Sequence, residues 1–256
     1  MSTGELRGYG ILITRPAQQA NEIAAAIESS GGRAVRFPTI DIVPRDAAAV
    51  GAEVNALAPA DIVIFISSNA VRYGCRPEYL GDARVAAIGP STRAALEHSG
   101  ARVDIVSERG FDSEHLLCEA ALEDVAGLHI RIVRGSQGRE LLADTLRERG
   151  ARIQYLSVYE RRVAVHEPDE VRDLAERWRA GEITHVLMLS VQSLTNLLRI
   201  LPHAEHELLR KTPLVTPSKR VIQTATELLP GIATALSNGP QTGDVIRALT
   251  ASKAKP

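Results

Sequence analysis

The chain has 256 residues, of which 45% are hydrophobic, and a formal net charge of −1. This apolar content excludes global disorder, and the balanced charge gives no reason to expect nucleic acid or a membrane surface as partner. No apolar run approaches the roughly 20 residues of a bilayer span, and residues 1–10 lack the apolar core of a signal peptide. With only two well-separated cysteines, Cys75 and Cys118, the expectation is a cytoplasmic monomer with reduced thiols.

Short apolar runs alternate with amphipathic stretches from the start. The opening unit is Ile11-Leu12-Ile13-Thr14-Arg15-Pro16, a helical stretch carrying Ala20, Ile23, Ala24 and Ile27, and then Gly31-Gly32-Arg33-Ala34-Val35. Candidate strands fall at 11–13, 34–37, 62–66, 85–88, 103–106, 130–133, 153–155, 186–189, 214–216 and 232–236. Such alternation predicts an α/β fold of parallel sheets covered by helices. Ten strands in so short a chain are expected to divide into two sheets of about five. Two segments interrupt the rhythm. Residues 37–44 are extended and bracketed by Pro38 and Pro44, which exclude helix. Residues 156–165 are β-rich, with Pro168 shortly after. The pair suits a two-stranded connector between domains.

The opening unit recurs at Ile130-Arg131-Ile132-Val133-Arg134-Gly135-Ser136-Gln137-Gly138, followed by a helix opening at Arg139-Glu140, then Gly150 and a second strand. Asp61 to Asn69 is echoed by Thr184 to Gln192, and Ala87 to Arg93 by Leu214 to Arg220. The offsets of roughly 120–127 residues are too long for a solenoid and suit a duplicated domain.

Ligands of open parallel sheets gather beyond the C-terminal strand ends. Here those ends carry Thr14-Arg15, Ser67-Ser68-Asn69, Gly89-Pro90-Ser91-Thr92, Arg134-Gly135-Ser136-Gln137, Ser190 with Gln192, and Thr216 with Ser218. The set contains hydroxyls, amides and arginines but no carboxylate, which favours a ligand rich in acceptors. Ser67, Ser91 and Ser218 stand where helices begin and serve equally as N-caps, each contributing about 1 kcal/mol without a ligand. Arg15 and Arg134 oppose the dipole of the helix they precede, which points to an anion seated beside them.

Other signatures fail. The turn at 135–138 is neither a dinucleotide fingerprint nor a Walker loop. No G-x-S-x-G elbow makes Ser67 or Ser190 a nucleophile. His203 and His206 lack cysteine or carboxylate ligands at suitable spacing, so no metal is expected. Arg149 and Arg152 read as surface charges. Tyr159 stands out because it falls in the connector segment. Its phenol either packs there or donates a proton to a departing hydroxyl.

Ile13-Thr14-Arg15-Pro16, Ser67-Ser68-Asn69-Ala70-Val71, Ala87-Ile88-Gly89-Pro90-Ser91-Thr92, and Arg134 to Leu141 leading into Val158-Tyr159-Glu160-Arg161 together resemble the uroporphyrinogen-III synthase family. The resemblance runs through most of the chain and rests on the order and spacing of these motifs. It implies two flavodoxin-like parallel-sheet domains joined by a two-stranded antiparallel β connector, with the active site in the cleft between them. The first domain would take 1–38 and 164–256, the second 42–160, and the connector strands 36–43 and 156–164. Residue patterns alone would have divided the chain near Gly127.

The implied reaction removes water from hydroxymethylbilane, a linear tetrapyrrole bearing eight carboxylates, and closes the ring with inversion of the last pyrrole. It needs no metal or organic cofactor. By position, Tyr159 matches the family's connector tyrosine, a proton donor to the leaving hydroxyl. Thr14, Arg15, Ser67, Ser68, Asn69, Gly89, Ser91, Thr92, Arg134, Gly135, Ser136, Gln137, Ser190 and Ser218 would hold the substrate. The second half departs from the pattern, because Ser190-Val191-Gln192 replaces a Ser-Pro-type turn and Thr216-Pro217-Ser218 a Gly-Pro-type turn. The rival reading is a two-domain small-anion-binding protein without catalysis. A flavodoxin-like regulatory module lacks a phosphoacceptor aspartate after its strands.

Overall fold

The computed structural model describes residues 4–107, 110, 112–138 and 140–252. Arg139, at the expected helix opening, lies outside the described residues. The chain forms two compact units, one from Met1–Asp41 and Arg162–Pro256, the other from Ile42–Arg161.

The first unit holds a five-stranded sheet. Its strands are β1 (Gly10–Ile13), β2 (Arg33–Arg36), β9 (His185–Leu187), β10 (Leu214–Thr216) and β11 (Thr234–Leu236), in the order β11-β10-β9-β1-β2 and parallel throughout. The central strands are buried at every position, whereas the edges β2 and β11 alternate or are open. That contrast is what separates a strand covered on both faces from one at a rim. Leu12, Val186 and Leu214 join one apolar cluster, and Ile11, Ile13, Leu187 and Val215 the other. Successive side chains on a strand point to opposite faces, so the sheet is packed on both sides.

A six-stranded sheet, most of it in the second unit, holds β3 (Ile40–Pro44), β4 (Ile62–Phe65), β5 (Arg84–Ala87), β6 (Ile105–Val106), β7 (His129–Gly135) and β8 (Arg152–Val163), in the order β3-β8-β7-β4-β5-β6; the start of β3 and the end of β8 belong to the first unit. The pairs from β8 to β6 are parallel. β6 is shorter than its apolar run because the Asp104 carboxylate takes the Val85 N–H at 2.9 Å, replacing a ladder carbonyl. The expected strand 153–155 and the extended segment after it are one strand of 12 residues. Arg149 is not a surface charge. Its Nη1 donates to Leu117 O and Leu122 O, both at 2.8 Å, and so ties down the chain preceding β7.

Read from one edge, the sheets run β2-β1-β9-β10-β11 and, after the additional edge strand β3, β8-β7-β4-β5-β6. The sequence echoes occupy equivalent places, pairing β1 with β7, β9 with β4 and β10 with β5. The copies are therefore circular permutations of one sheet. In the first, the two strands at the β2 edge come first in the chain; in the second, their counterparts come last. Connections leave in opposite directions between β1 and β9, and again between β4 and β7. A crevice beyond the strand ends forms at such a switch.

His185 on β9 is fully buried. Its Nε2 donates to Ser252 O at 2.9 Å, and Nδ1 lies 2.9 Å from the Thr184 hydroxyl. Burial pushes its pKa below the usual histidine value, partly offset by the bond to Ser252. The unfolded chain therefore takes up the proton first as pH falls. The stability this neutral imidazole contributes is complete above about pH 6.5 and is lost as pH drops toward its depressed folded value. Differential calorimetry between pH 5 and 8 should show the stability difference between wild type and His185→Gln shrinking below about pH 6.5; a pH-independent difference would refute it.

Candidate active site

In the second unit the ends of β4 and β5 lead directly into helices. Ser67 caps the helix Ser68–Gly74, its Oγ accepting the Ala70 N–H at 3.0 Å. Ser68 Oγ donates to Ser91 O at 3.2 Å, which joins the turns after β4 and β5. Ser91 is not a cap. The helix Pro90–His98 is capped by Gly89 with proline at its first position, so Ser91 is exposed within the first turn. Asn69 and Thr92 are buried beneath these turns.

Beyond β7 the register slips. Arg134 pairs with Ser157 but Gly135 pairs with Tyr159, so β8 holds one extra residue, Val158. Strict alternation would put Tyr159 on the face of Tyr155. The bulge instead sends Val158 and Tyr159 together into the cluster with Leu156, while Tyr155 packs against the opposite one. Bulges re-aim side chains in this way and are rare between parallel strands. Tyr159 is 2% exposed, so it is a core aromatic of this unit and not a side chain standing in an open connector. Its hydroxyl lies 3.2 Å from Ser67 Oγ, and its carbonyl accepts the Ser136 N–H at 2.9 Å.

Gly135 lies against the ring. A Cβ there would sit 2.7 Å from Tyr159 Cε2 and 2.9 Å from Cζ.

On the other face, Arg134 is 5% exposed. Its Nη1 donates to Glu140 Oε1 at 2.9 Å, the Tyr155 hydroxyl donates to Glu140 Oε2, and the guanidinium stacks on the Tyr155 ring at 4.8 Å. The hydrogen bond from Tyr155, then that from Arg134, hold the Glu140 carboxyl below the usual carboxylate range. Burial, then the bond to Glu140, push the Tyr155 phenol up. The strand-end inventory contained no carboxylate because Glu140 belongs to the start of the following helix. Its readable signal was an acidic residue at a helix opening. Gln137 and Ser136 are exposed beside it.

In the first unit, Thr14 is buried and its hydroxyl donates to Leu187 O at 3.0 Å, bridging the β1 and β9 ends. Arg15 Nη2 reaches Gln19 Oε1 at 3.5 Å. Burial lowers the Arg15 pKa, with Glu22 opposing. Ser190 caps Val191–Ile200, accepting the Ser193 N–H at 3.1 Å, and Ser218 caps Lys219–Leu228, accepting the Val221 N–H at 3.4 Å. Among the described residues no three His, Cys, Asp or Glu side chains are grouped to hold a metal.

The model of the family described as "Uroporphyrinogen-III synthase HemD" matches residues 21–236. The uroporphyrinogen-III synthase of Escherichia coli (strain K12) is 32% identical over 228 residues, covering 85% of this chain and 91% of that protein. The chain belongs to the uroporphyrinogen-III synthase family. Solved structures share its mixed α/β fold with parallel sheets. The uroporphyrinogen-III synthetase from Helicobacter pylori 26695 gives a TM-score of 0.64 at 13% identity, over 93% of this chain and 97% of that one. A mutant uroporphyrinogen III synthase from Thermus thermophilus gives 0.59 at 20% identity, over 95% and 100%.

Gly135→Ala should destabilise the protein by about 1–3 kcal/mol through overpacking alone, since Gly135 needs no left-handed backbone. Urea unfolding would measure it, and an unchanged midpoint would mean the Tyr159 ring has room to move.

Proposed function

We propose that this chain acts on hydroxymethylbilane as a uroporphyrinogen-III synthase, removing water and closing the macrocycle with the last pyrrole ring inverted. The observation that carries this reading is the family match across residues 21–236. Ring closure of this substrate proceeds without an enzyme to the uninverted isomer, so catalysis lies in holding a flexible chain in one geometry. Donors to carboxylates serve that end, and charge-assisted bonds are the strong ones.

In this reading Arg15, Arg134, Ser68, Ser91, Ser136, Gln137, Ser190 and Ser218 contact substrate carboxylates, with the turns at Asn69, Gly89 and Gly135 supplying backbone N–H groups. Thr14 and Thr92 are buried and position those turns. The two units are flavodoxin-like domains, which the order β2-β1-β9-β10-β11 supports. β3 and β8 form their antiparallel connector. In its favour, the Arg45 N–H bonds Val158 O and the Ala164 N–H bonds Thr39 O, so partner numbers run in opposite directions.

Tyr159 donates the proton for loss of the hydroxyl. With Tyr159 O–H directed to Ser67 Oγ, that oxygen accepts from both Tyr159 and the Ala70 N–H, leaving the Ser67 proton to point outward. Ser67 passes its proton to the leaving hydroxyl, which departs as water, and recovers one from the phenol; the proton lost by the pyrrole carbon on ring closure restores the phenol by the same route.

Isomer analysis of the product from purified protein and hydroxymethylbilane tests the function. Type-III product in excess over the spontaneous isomer is expected; binding without conversion would favour an anion-binding protein. Tyr159→Phe, which keeps the packed ring, should lower turnover about 10²-fold. Wild-type rates in that variant would remove Tyr159 from the mechanism.

A further inference from the structure

A pocket of about 200 Å³ opens at the β4–β7 switch, walled by Ile66, Ile132 and Leu142 and edged by Arg134, Tyr155 and Asp112. Sites for whole drug-sized ligands occupy roughly 300–1,000 Å³, so this one suits a single small ring. Arg134 is 5% exposed, and its Nε is shielded with no hydrogen-bond partner among the described residues. A buried donor left unmade is unfavourable, which marks the guanidinium as incompletely used by the protein. Its counter-ion is Glu140, whose side chain is 51% exposed. That carboxylate can turn into water about its own side-chain bonds without any strand moving. Asp112, also on the rim, is engaged by His115, whose N–H lies 2.9 Å and Nδ1 2.5 Å from Oδ1.

We propose that Glu140 is a resident stand-in for a ligand carboxylate, and that the pocket takes one pyrrole ring of the substrate, whose carboxylate arm replaces Glu140 on Arg134 and Tyr155. The proposal rests on the function above and adds to it a defined subsite and a competing residue. Two donors already converge on the carboxylate position, namely Arg134 Nη1 and the Tyr155 hydroxyl. The apolar walls suit the faces of a pyrrole. The exchange swaps one carboxylate for another, so the buried guanidinium never stands unpaired, a strongly unfavourable state. The ligand's advantage is burial of its ring, which Glu140 cannot supply. Glu140 therefore reduces apparent affinity by the fraction of time it occupies Arg134, and it keeps the site structured when empty. Gly138 belongs to the same arrangement, since a Cβ there would sit 2.7 Å from Arg134 Nη2.

The test uses the full chain and a monopyrrole bearing one acetate and one propionate arm. Titration followed by the ¹⁵N–¹H signal of Arg134 Nε should shift that signal, and Glu140→Gln should tighten binding about fivefold or more. The same variant should lower KM for hydroxymethylbilane by a similar factor. An unmoved Nε signal, or equal or weaker binding by Glu140→Gln, overturns the proposal. Monopyrrole binding that tightens in Glu140→Gln while wild type yields no type-III isomer would keep the subsite and refute the assigned reaction.

Discussion

One extra residue in β8 sets the chemistry of the second unit. Because Val158 is bulged out of register, Tyr159 leaves the face it would share with Tyr155 and enters the opposite core. The ring can lie there only because Gly135, now its partner across the ladder, has no side chain to occupy the same space. The phenol hydroxyl then falls on Ser67, the residue capping the helix after β4. Tyr155, left on its own side, stacks under Arg134 and binds Glu140. A single register shift thus divides two tyrosines four residues apart between two polar clusters on opposite faces of one sheet.

The permuted sheet explains why these clusters stand where they do. A strand that opens a fold and one inserted near its end have reached the same place beside the switch. β1 and β7 are such a pair, with Arg15 two residues past the end of the one and Arg134 the last residue but one of the other. β9 and β4 are the other pair, each followed by a capping serine. The switch is where two loops diverge, and an arginine and a capping serine stand beside it in each sheet.

Much of this was readable from residue order. Unbroken apolar runs such as Ile62–Phe65 identify strands buried on both faces, and the offsets between echoes identify the repeat. The single 12-residue span of β8 was less legible, because an alternation interrupted by a bulge looks like two elements. Gly89 rather than Ser91 caps its helix because Pro90 occupies the first helical position, a preference that outweighs the serine one step later. Glu140 and Tyr155 were missed for a different reason. Strand-end reasoning collects residues following a strand, whereas Glu140 arrives from a helix start and Tyr155 from the middle of a neighbouring strand. Only the fold brings them to Arg134.

Arg15 and Arg134 show how far equivalent positions have diverged. Arg15 lies two residues past β1 and Arg134 is the last residue but one of β7, and the α-helices that follow begin only at Asn21 and Leu141, so the helix dipole, which acts within the first turn, does not oppose them as the residue order implied. Arg134 carries its own answer, a carboxylate six residues on that accepts one of its N–H groups at 2.9 Å. Arg15 has an amide, Gln19, at 3.5 Å and feels Glu22 only through space, and burial lowers its pKa. A neutral amide does not balance a guanidinium, so Arg15 is the less compensated cation of the two. Among the described residues Arg134 is met by a resident carboxylate, whereas Arg15 has only a neutral amide within hydrogen-bond reach. The same strand–turn–helix plan therefore surrounds its two arginines differently.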